Sequence, residues 1–393
     1  MGTALTYESR RLPRADEPLY ASRRQNLLRR EPYTAAIPAR IADIALDLSP
    51  DTLAEADDAS AALVRFDSET THFPAPFSAV LLRSESASSS QIEQLTSGTR
   101  AIAEAVIGER ADGNAPLIVS NVRAMEAAIA LADDISDASI IAMQKALLGD
   151  SAPDAVGRYR AEQVWVGGRL PHDASFVPPH HDRVPEAMAD LVAFARRTDL
   201  PVLVQAAVAH AQFETIHPFP DGNGRTGRAL LHAMLRHGGI LRHLAVPVSA
   251  GLLSDIDGYF DALTAYRRGE ADAIVQVFSS ASLQAVDNAR RLAAAMAALQ
   301  AGWDSRLTGI RADAAARSIA TATLEYPVIN LATAMRATGA SKPAVTNGLA
   351  QLVERGVLAP GNSKRRKRVW VNQEVLDALD AFVARAGRRN YAD

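Results

Sequence analysis

Residues 201–215 form a nearly unbroken apolar stretch, and after a short interruption residues 225–235 resume an apolar-periodic one. This pairing restricts the fold more than any other feature of the chain. A helix that is apolar around its whole circumference offers no face to water and belongs at the centre of a bundle. Gly222 and Gly224 break the pattern in between, so two helices meet at a tight turn. Composition points the same way. Hydrophobic residues make up 48% of the chain but aromatics only 5%, and alanine is abundant. Alanine is the best helix former, whereas aromatic and β-branched residues favour strands. The expected fold is mainly α.

With 393 residues the chain has room for two or three domains, each with its own core. A net charge of −3 gives the whole molecule no general attraction to polyanions. Without cysteine there is no disulfide framework, thiolate nucleophile or thiolate metal site. The first residues lack an apolar signal core, and no stretch reaches the length of a membrane span. The expectation is a soluble, cytoplasmic protein without a membrane partner.

Along the chain, residues 1–40 are polar and rich in arginine and proline, and read as an N-terminal arm. Residues 41–130 read as a helical region, with a helical pattern over 41–64 around Leu46, Leu48, Leu53 and Leu63. The Ser-rich stretch 84–99 reads as a turn leading into a helix, with Glu93 in that helix's first turn, where the dipole favours an acid. Helices are expected over 101–107, 122–131, 136–148 and 185–197. Extended pieces at 163–166 and 176–179, around Gly167 and Gly168, suggest a hairpin. Residues 131–285 form the expected central domain. A long Ala/Leu/Arg helix over 279–317 supplies a connector at 286–317, and 318–393 reads as a separate small domain.

The interruption between the two apolar helices reads His-Pro-Phe-Pro-Asp-Gly-Asn-Gly-Arg-Thr-Gly-Arg over 217–228. Gly222 and Gly224 let backbone N–H groups approach a ligand. Those groups lie at a helix N-terminus, where orphan donors and the dipole favour an anion. Arg225 and Arg228 are three apart and face the same side, as a clamp for phosphates. Asp221 offers a hard oxygen suited to Mg²⁺. His217 has the pKa range of a base that deprotonates an attacking hydroxyl. Phe219 reads as a core anchor, and His210 as a core residue or support for the site. These parts describe a site for a metal-bound polyphosphate beside a base, with no nucleophile for a covalent enzyme intermediate.

The segment resembles the signature of the Fic family, His-Pro-Phe-x-Asp/Glu-Gly-Asn-Gly-Arg-x-x-Arg, and similarity extends over about residues 80–285. The resemblance implies a helical core with a β-hairpin flap that transfers AMP from ATP to a Ser, Thr or Tyr hydroxyl of a protein. It implies His217 as the base, Asp221 as the Mg²⁺ ligand, and Gly222, Asn223 and Gly224 as the anion nest. Arg225 and Arg228 would hold the β- and γ-phosphates. Gly224 stands where related kinases of the superfamily carry lysine, which points to AMP as the cargo. The hairpin over 164–177 resembles the flap that holds the target segment by strand addition, and this would set Val166, Gly167 and Gly168 beside the nucleotide. Tyr259 and Phe260 resemble the lining of the adenosine side.

Ser89-Ser90-Gln91-Ile92-Glu93 resembles the family's inhibitory motif, with Gln94 departing from the usual Gly or Asn. A carboxylate on Arg228 occupies the fork that the γ-phosphate needs. The same Glu93 could instead position a water for removal of AMP, an alternative the sequence leaves open.

At the C-terminus a short helix is expected over 328–338. Ser341 is the expected N-cap of a helix ending near Arg355, followed by a hairpin whose tip is Lys364-Arg365-Arg366-Lys367-Arg368. This order resembles a winged helix, giving a small α+β domain. It brings in DNA, through 341–368, as an alternative partner to a protein target, and the tip suits a phosphate backbone. The rival reading is a DNA-binding transcriptional regulator whose Fic core senses nucleotide. The target protein (or the chain itself) and a homodimer stay open.

Overall fold

The computed structural model describes residues 2–12, 30–69, 76–149, 151–153, 156–361 and 368–387. Residues 13–29 of the expected arm and the basic run 364–367 lie outside them. The described chain is mainly helical with a few short strands, the class expected from its composition. In order it forms β1 (Thr6–Arg10), β2 (Tyr33–Ile37), α1 (Pro50–Glu69), α2 (Pro76–Ile92), α3 (Thr99–Val106), α4 (Ala115–Ala130) and α5 (Asp137–Leu148). There follow α6 (Val184–Ala195), α7 (Val202–Ile216), α8 (Asn223–His237), α9 (Val248–Leu252), α10 (Ile256–Arg267) and α11 (Ala271–Arg306). The last run is α12 (Ala315–Glu325), β3 (Val328–Asn330), α13 (Leu331–Thr338), α14 (Lys342–Glu354), β4 (Ala359–Gly361), β5 (Val369–Val371) and α15 (Gln373–Ala386). The chain divides into two compact units: Met1–Ser60, Glu126–Gly239 and Asp257–Ser279 form one, and Ala61–Met125, Ile240–Ile256 and Ser280–Asp393 the other.

In the first unit α7 is the central helix. Every residue from Leu203 to Ile216 is buried, His210 and Thr215 included. It packs against α6 and α8, and α8 packs against α5, whose start is fixed by a capping box between Ser136 and Ser139. Within the expected arm two strands form. β1 and β2 pair antiparallel, from Thr6 opposite Ile37 to Arg10 opposite Tyr33. Glu8 accepts two bonds from the Arg183 guanidinium, each 2.8 Å, which holds the carboxyl below its ordinary range. The helical pattern at 41–64 starts late. The Asp190 carboxylate takes the Ile41 and Ala42 N–H groups at 2.6 and 3.3 Å, keeping that backbone out of a helix. The helix begins at Pro50, where the Ser49 hydroxyl accepts the Thr52 N–H at 3.1 Å. Ser-Pro is a start signal that outweighs the apolar spacing before it.

In the second unit, the Ser-rich stretch is a helix and not a turn. Ser84, Ser86 and Ser90 donate to the carbonyls of Val80, Leu82 and Ser86 at 2.9, 2.9 and 2.8 Å. Serines bonded to their own helix carry no unsatisfied hydroxyl into the interior, so α2 can bury Ser86 and Ser90. Glu85 is buried as well, and accepts the N–H and hydroxyl of Ser249 at 2.9 and 2.5 Å. Glu93 therefore follows the C-terminal end of α2 and does not stand in a first turn. Gln94 takes φ 61, its N–H donates to Gln91 (2.9 Å), and Leu95 donates to Ser90 (3.0 Å). This is a Schellman close, whose left-handed position normally holds glycine or asparagine.

The C-terminal run differs from expectation in three details. Residues 328–330 are strand β3, and the helix α13 starts only after Asn330, whose side chain accepts the Thr333 N–H at 2.8 Å. The long helix stops at Arg306 and not near 317, where Trp303 and Arg306 both bond to Glu374 at 2.7 Å and Gly309 turns the chain with φ +87. Ser341 occupies the N-cap position of α14 without a capping bond. The three strands form an antiparallel sheet in the order β3-β5-β4, and Val328, Val369, Val371 and Leu376 share a core with Ala103.

Candidate active site

His217 ends α7 in the left-handed region, φ 51 and ψ 59, with its N–H on the Phe213 carbonyl at 2.8 Å. A non-glycine residue held there costs about 1–2 kcal/mol, and such a conformation persists where its surroundings over-determine it. Pro218 follows. Phe219 is fully buried between Phe213 and Tyr159, ring centroids 6.3 and 5.5 Å away, the anchoring role expected of it.

Asn223 turns its side chain inward. Its Oδ1 accepts the Phe219 N–H and its Nδ2 donates to the Phe219 carbonyl, both at 2.8 Å. This reciprocal pair closes the loop and leaves the loop's outer backbone to face a ligand. Gly222 is required by conformation and by space: φ is +79, and a Cβ would meet Leu147 Cδ2 at 2.9 Å. The intrahelical ladder of α8 starts with the Thr226 N–H on Gly222 (2.9 Å), so the Asn223 and Gly224 amides precede it. That is the geometry of an anion seat at a helix N-terminus. Arg225 and Arg228, 6% and 2% exposed, lie on the same helix, where low dielectric strengthens any charge pairing they make.

The Asp221 side chain is 67% exposed, accepts the Gly222 N–H at 2.6 Å and lies 3.7 Å from the Arg225 guanidinium. Among the described residues no three or more His, Asp or Glu side chains gather as a metal cage. A single exposed carboxylate beside a helix N-terminus would suit Mg²⁺, a cation that takes oxygen ligands.

The flap is a loop closed by one antiparallel bridge, Val166 opposite Phe176. Gly167 and Gly168 have φ +70 and +68, and Asp173 Oδ1 accepts the Arg169 and Leu170 N–H groups at 3.0 and 2.7 Å. Val166 is 40% exposed. The far side of the flap is taken by β2, whose Ala36 N–H donates to the Val177 carbonyl at 3.0 Å. In α10, Phe260 is 49% exposed while Tyr259 is buried, its hydroxyl 2.8 Å from His210 Nε2. Burial pulls the His210 imidazole down to about 3, so it is neutral.

The first unit thus brings together His217, Asp221, Gly222, Asn223, Gly224, Arg225 and Arg228 on one helix–loop–helix segment. Glu93 belongs to the other unit, at the end of α2. One residue of this neighbourhood is unmarked in the sequence: Arg160. It is 4% exposed, and its guanidinium donates to the carbonyls of Glu162, Pro179, Ile216 and His217. An arginine preceding an extended segment carries no local signal for partners that lie up to 57 positions away.

The Fic/DOC family profile matches residues 134–235. Over 110 residues the chain is 34% identical to "Protein adenylyltransferase fic-1" of Caenorhabditis elegans, covering 27% of this chain and 20% of that one. Over 91 residues it is 37% identical to "Probable protein adenylyltransferase aq_aa38" of Aquifex aeolicus, covering 20% and 28%. It is 27% identical over 155 residues to "Protein adenylyltransferase Fic" of Nematostella vectensis, covering 39% and 34%. The chain thus spans between a fifth and about a third of the length of these curated relatives. The crystal structure of a Fic family protein from Desulfovibrio desulfuricans G20 superposes with a TM-score of 0.54 at 22% identity, over 83% of this chain and 97% of that one, and shares the fold.

Proposed function

The chain is a Fic family protein through its residues 134–235, and on that premise we propose that it is a protein adenylyltransferase. It transfers AMP from ATP to a Ser, Thr or Tyr hydroxyl of a protein and releases pyrophosphate. The observation that carries this reading is the single segment bearing His217, Asp221 and the amide-rich start of α8. The target hydroxyl oxygen attacks the α-phosphorus and His217 takes its proton. The bond from the α-phosphorus to the bridging oxygen breaks, and pyrophosphate leaves against Arg225 and Arg228. Asp221 would hold Mg²⁺, which would supply charge neutralisation on the phosphates. The flap holds the target segment by strand addition, with Val166, Gly167 and Gly168 next to the nucleotide and Tyr259 and Phe260 toward the adenosine.

Glu93 restrains the reaction in this reading. Its carboxylate competes with the γ-phosphate for the Arg228 guanidinium. A carboxylate at the C-terminal end of α2 is on the unfavourable side of the helix dipole, so it gains from meeting a cation. The same group gives the enzyme a way to activate water and remove AMP.

Labelling with ATP carrying the label on the α-phosphate tests the proposal. Glu93→Gly labels itself or a lysate protein more strongly than the wild type, and His217→Ala not at all. Transfer of γ-label alone would make the chain a kinase instead.

A second reading concerns the C-terminal run, whose order α12-β3-α13-α14-β4-β5 resembles that of a winged helix. On α14 the exposed residues Lys342, Thr346, Asn347 and Ala350 lie beside exposed Ser341, with no acid among them before Glu354. Such a face suits a DNA groove. A gel shift of the full chain that weakens steeply with salt supports DNA binding, and no shift at low salt removes it.

A further inference from the structure

We infer that Arg160 is a positioning residue of this site: it ties the backbone of the base His217 to both feet of the flap. The inference rests on the AMP-transfer reading above. Arg160 Nε donates to the His217 carbonyl at 2.8 Å, and Nη2 reaches the Ile216 carbonyl at 3.4 Å. These are the last carbonyls of α7, which have no partner within the helix, and a cation is the favoured group at that end. The other donors go to the flap. Nη1 meets the Glu162 carbonyl at 2.9 Å, and Nη2 meets the Pro179 carbonyl at 2.5 Å. Glu162 and Pro179 immediately flank the segment 163–178. The backbone also joins in, since the Arg160 N–H donates to the Pro218 carbonyl at 2.9 Å.

Among the described residues no carboxylate is bonded to this guanidinium, and its hydrogen bonds go to main-chain carbonyls. Burial lowers its pKa to about 10, which still leaves it charged at neutral pH. A charged group held this way is a rigid four-way joint. Only the planar fork of arginine reaches four carbonyls at fixed angles, because a lysine ammonium has three donors on one point. The joint does two things. It secures His217 in its left-handed conformation, together with the bond from His217 N–H to Phe213. It also makes base and flap one body, so that a target segment paired to the flap is aligned with the base that serves it.

The test uses the full chain with Glu93→Gly as parent, comparing Arg160→Lys and Arg160→Met after thermal unfolding shows them folded. Three quantities are read: self-labelling from α-labelled ATP, MgATP affinity by calorimetry, and the pH titration of the His217 ring resonance, identified by its loss in His217→Ala. We expect MgATP affinity to stay within about threefold, because the nucleotide loop is closed by Asn223 and Phe219 and not by Arg160. Labelling should fall about 100-fold in Arg160→Met, the scale of a misplaced reacting group, with Arg160→Lys in between. The His217 titration should shift in both variants. A folded Arg160→Met with parental labelling and an unmoved His217 titration overturns the inference. If Arg160→Met does not fold, the same outcome in Arg160→Lys overturns it. A parent that labels nothing would sink the AMP-transfer reading instead, while the His217 titration still decides the role of Arg160.

Discussion

Asn223 and Phe219 exchange two hydrogen bonds across four residues, Oδ1 from the Phe219 N–H and Nδ2 to its carbonyl, each 2.8 Å. The pair is buried, and both of its bonds are made by a side chain that one hydrogen-bond donor and one acceptor must share. Asn223→Asp keeps the acceptor but sets a carboxylate oxygen against the Phe219 carbonyl. Asn223→Ala loses both and leaves a buried N–H and C=O unpaired. Asn223→Ala should lower stability by about 2–4 kcal/mol, the cost of orphaning two buried groups, and Asn223→Asp should also destabilise. Chemical denaturation measures this, and calorimetry should show weaker MgATP binding because the amide seat loses its closure. An unchanged denaturation midpoint for Asn223→Ala would count against the pair as the closure of the loop.

Gln94 makes a prediction of opposite sign. It occupies the left-handed close of α2 with φ 61, where its Cβ is strained and nothing about glycine would be. Gln94→Gly should therefore stabilise the protein by about 1 kcal/mol, even though glycine loosens the unfolded chain. The check is a thermal melt of both proteins at the same pH. A lower melting temperature for Gln94→Gly would show that the glutamine side chain contributes more than its backbone costs.

What was legible in the sequence follows from how local each cause is. Helix α7 could be read because unbroken apolar character is a property of the segment itself, and the loop after it because Gly222, Asn223 and Gly224 carry their geometry in their own chemistry. α2 could not be read as a buried helix, since polar serines argue for a turn until their bonds to carbonyls four residues back are seen. The late start of α1 depends on Asp190, which lies 149 positions from Ile41. Strand β1 is tied down by Arg183 bonding to Glu8, 175 positions away. Arg160 is the same case within the candidate site. The backbone strain of His217 was equally hidden, because a histidine says nothing of its φ.

At Gly227, α8 packs closely against α7. A Cβ there would meet Glu214 Oε1 at 2.8 Å, Phe213 Cδ1 at 2.9 Å and His210 Cε1 at 3.3 Å. The carboxylate end can swing aside, but the Phe213 ring is fully buried and packed on Phe219. Gly227→Ala should thus cost about 1–3 kcal/mol, the usual penalty of overpacking, in spite of alanine's better helix propensity. Because Phe219 belongs to the loop, the variant should also bind MgATP more weakly. A stability equal to the wild type would mean that the two helices separate without loss.

His210 predicts an acid-sensitive core. Burial lowers its pKa to about 3, and its Nε2 is 2.8 Å from the Tyr259 hydroxyl inside the α7 packing layer. In the unfolded chain the imidazole has its ordinary value near 6.5. Between these values the unfolded state carries a proton that the folded state refuses, so it binds more protons and stability rises with pH. The contribution is fully present above pH 6.5 and is lost as pH falls, by up to about 1.4 kcal/mol per pH unit, or about 2 kcal/mol at pH 5. His210→Gln keeps a hydrogen-bonding group for Tyr259 but cannot titrate. Denaturation at pH 7.5 and pH 5.0 should therefore show the wild type losing about 2 kcal/mol more than His210→Gln over that interval, even if the variant is the less stable protein at pH 7.5. Equal losses in the two proteins would mean that His210 takes up its proton in the folded state, and that the layer between α7 and α10 admits water.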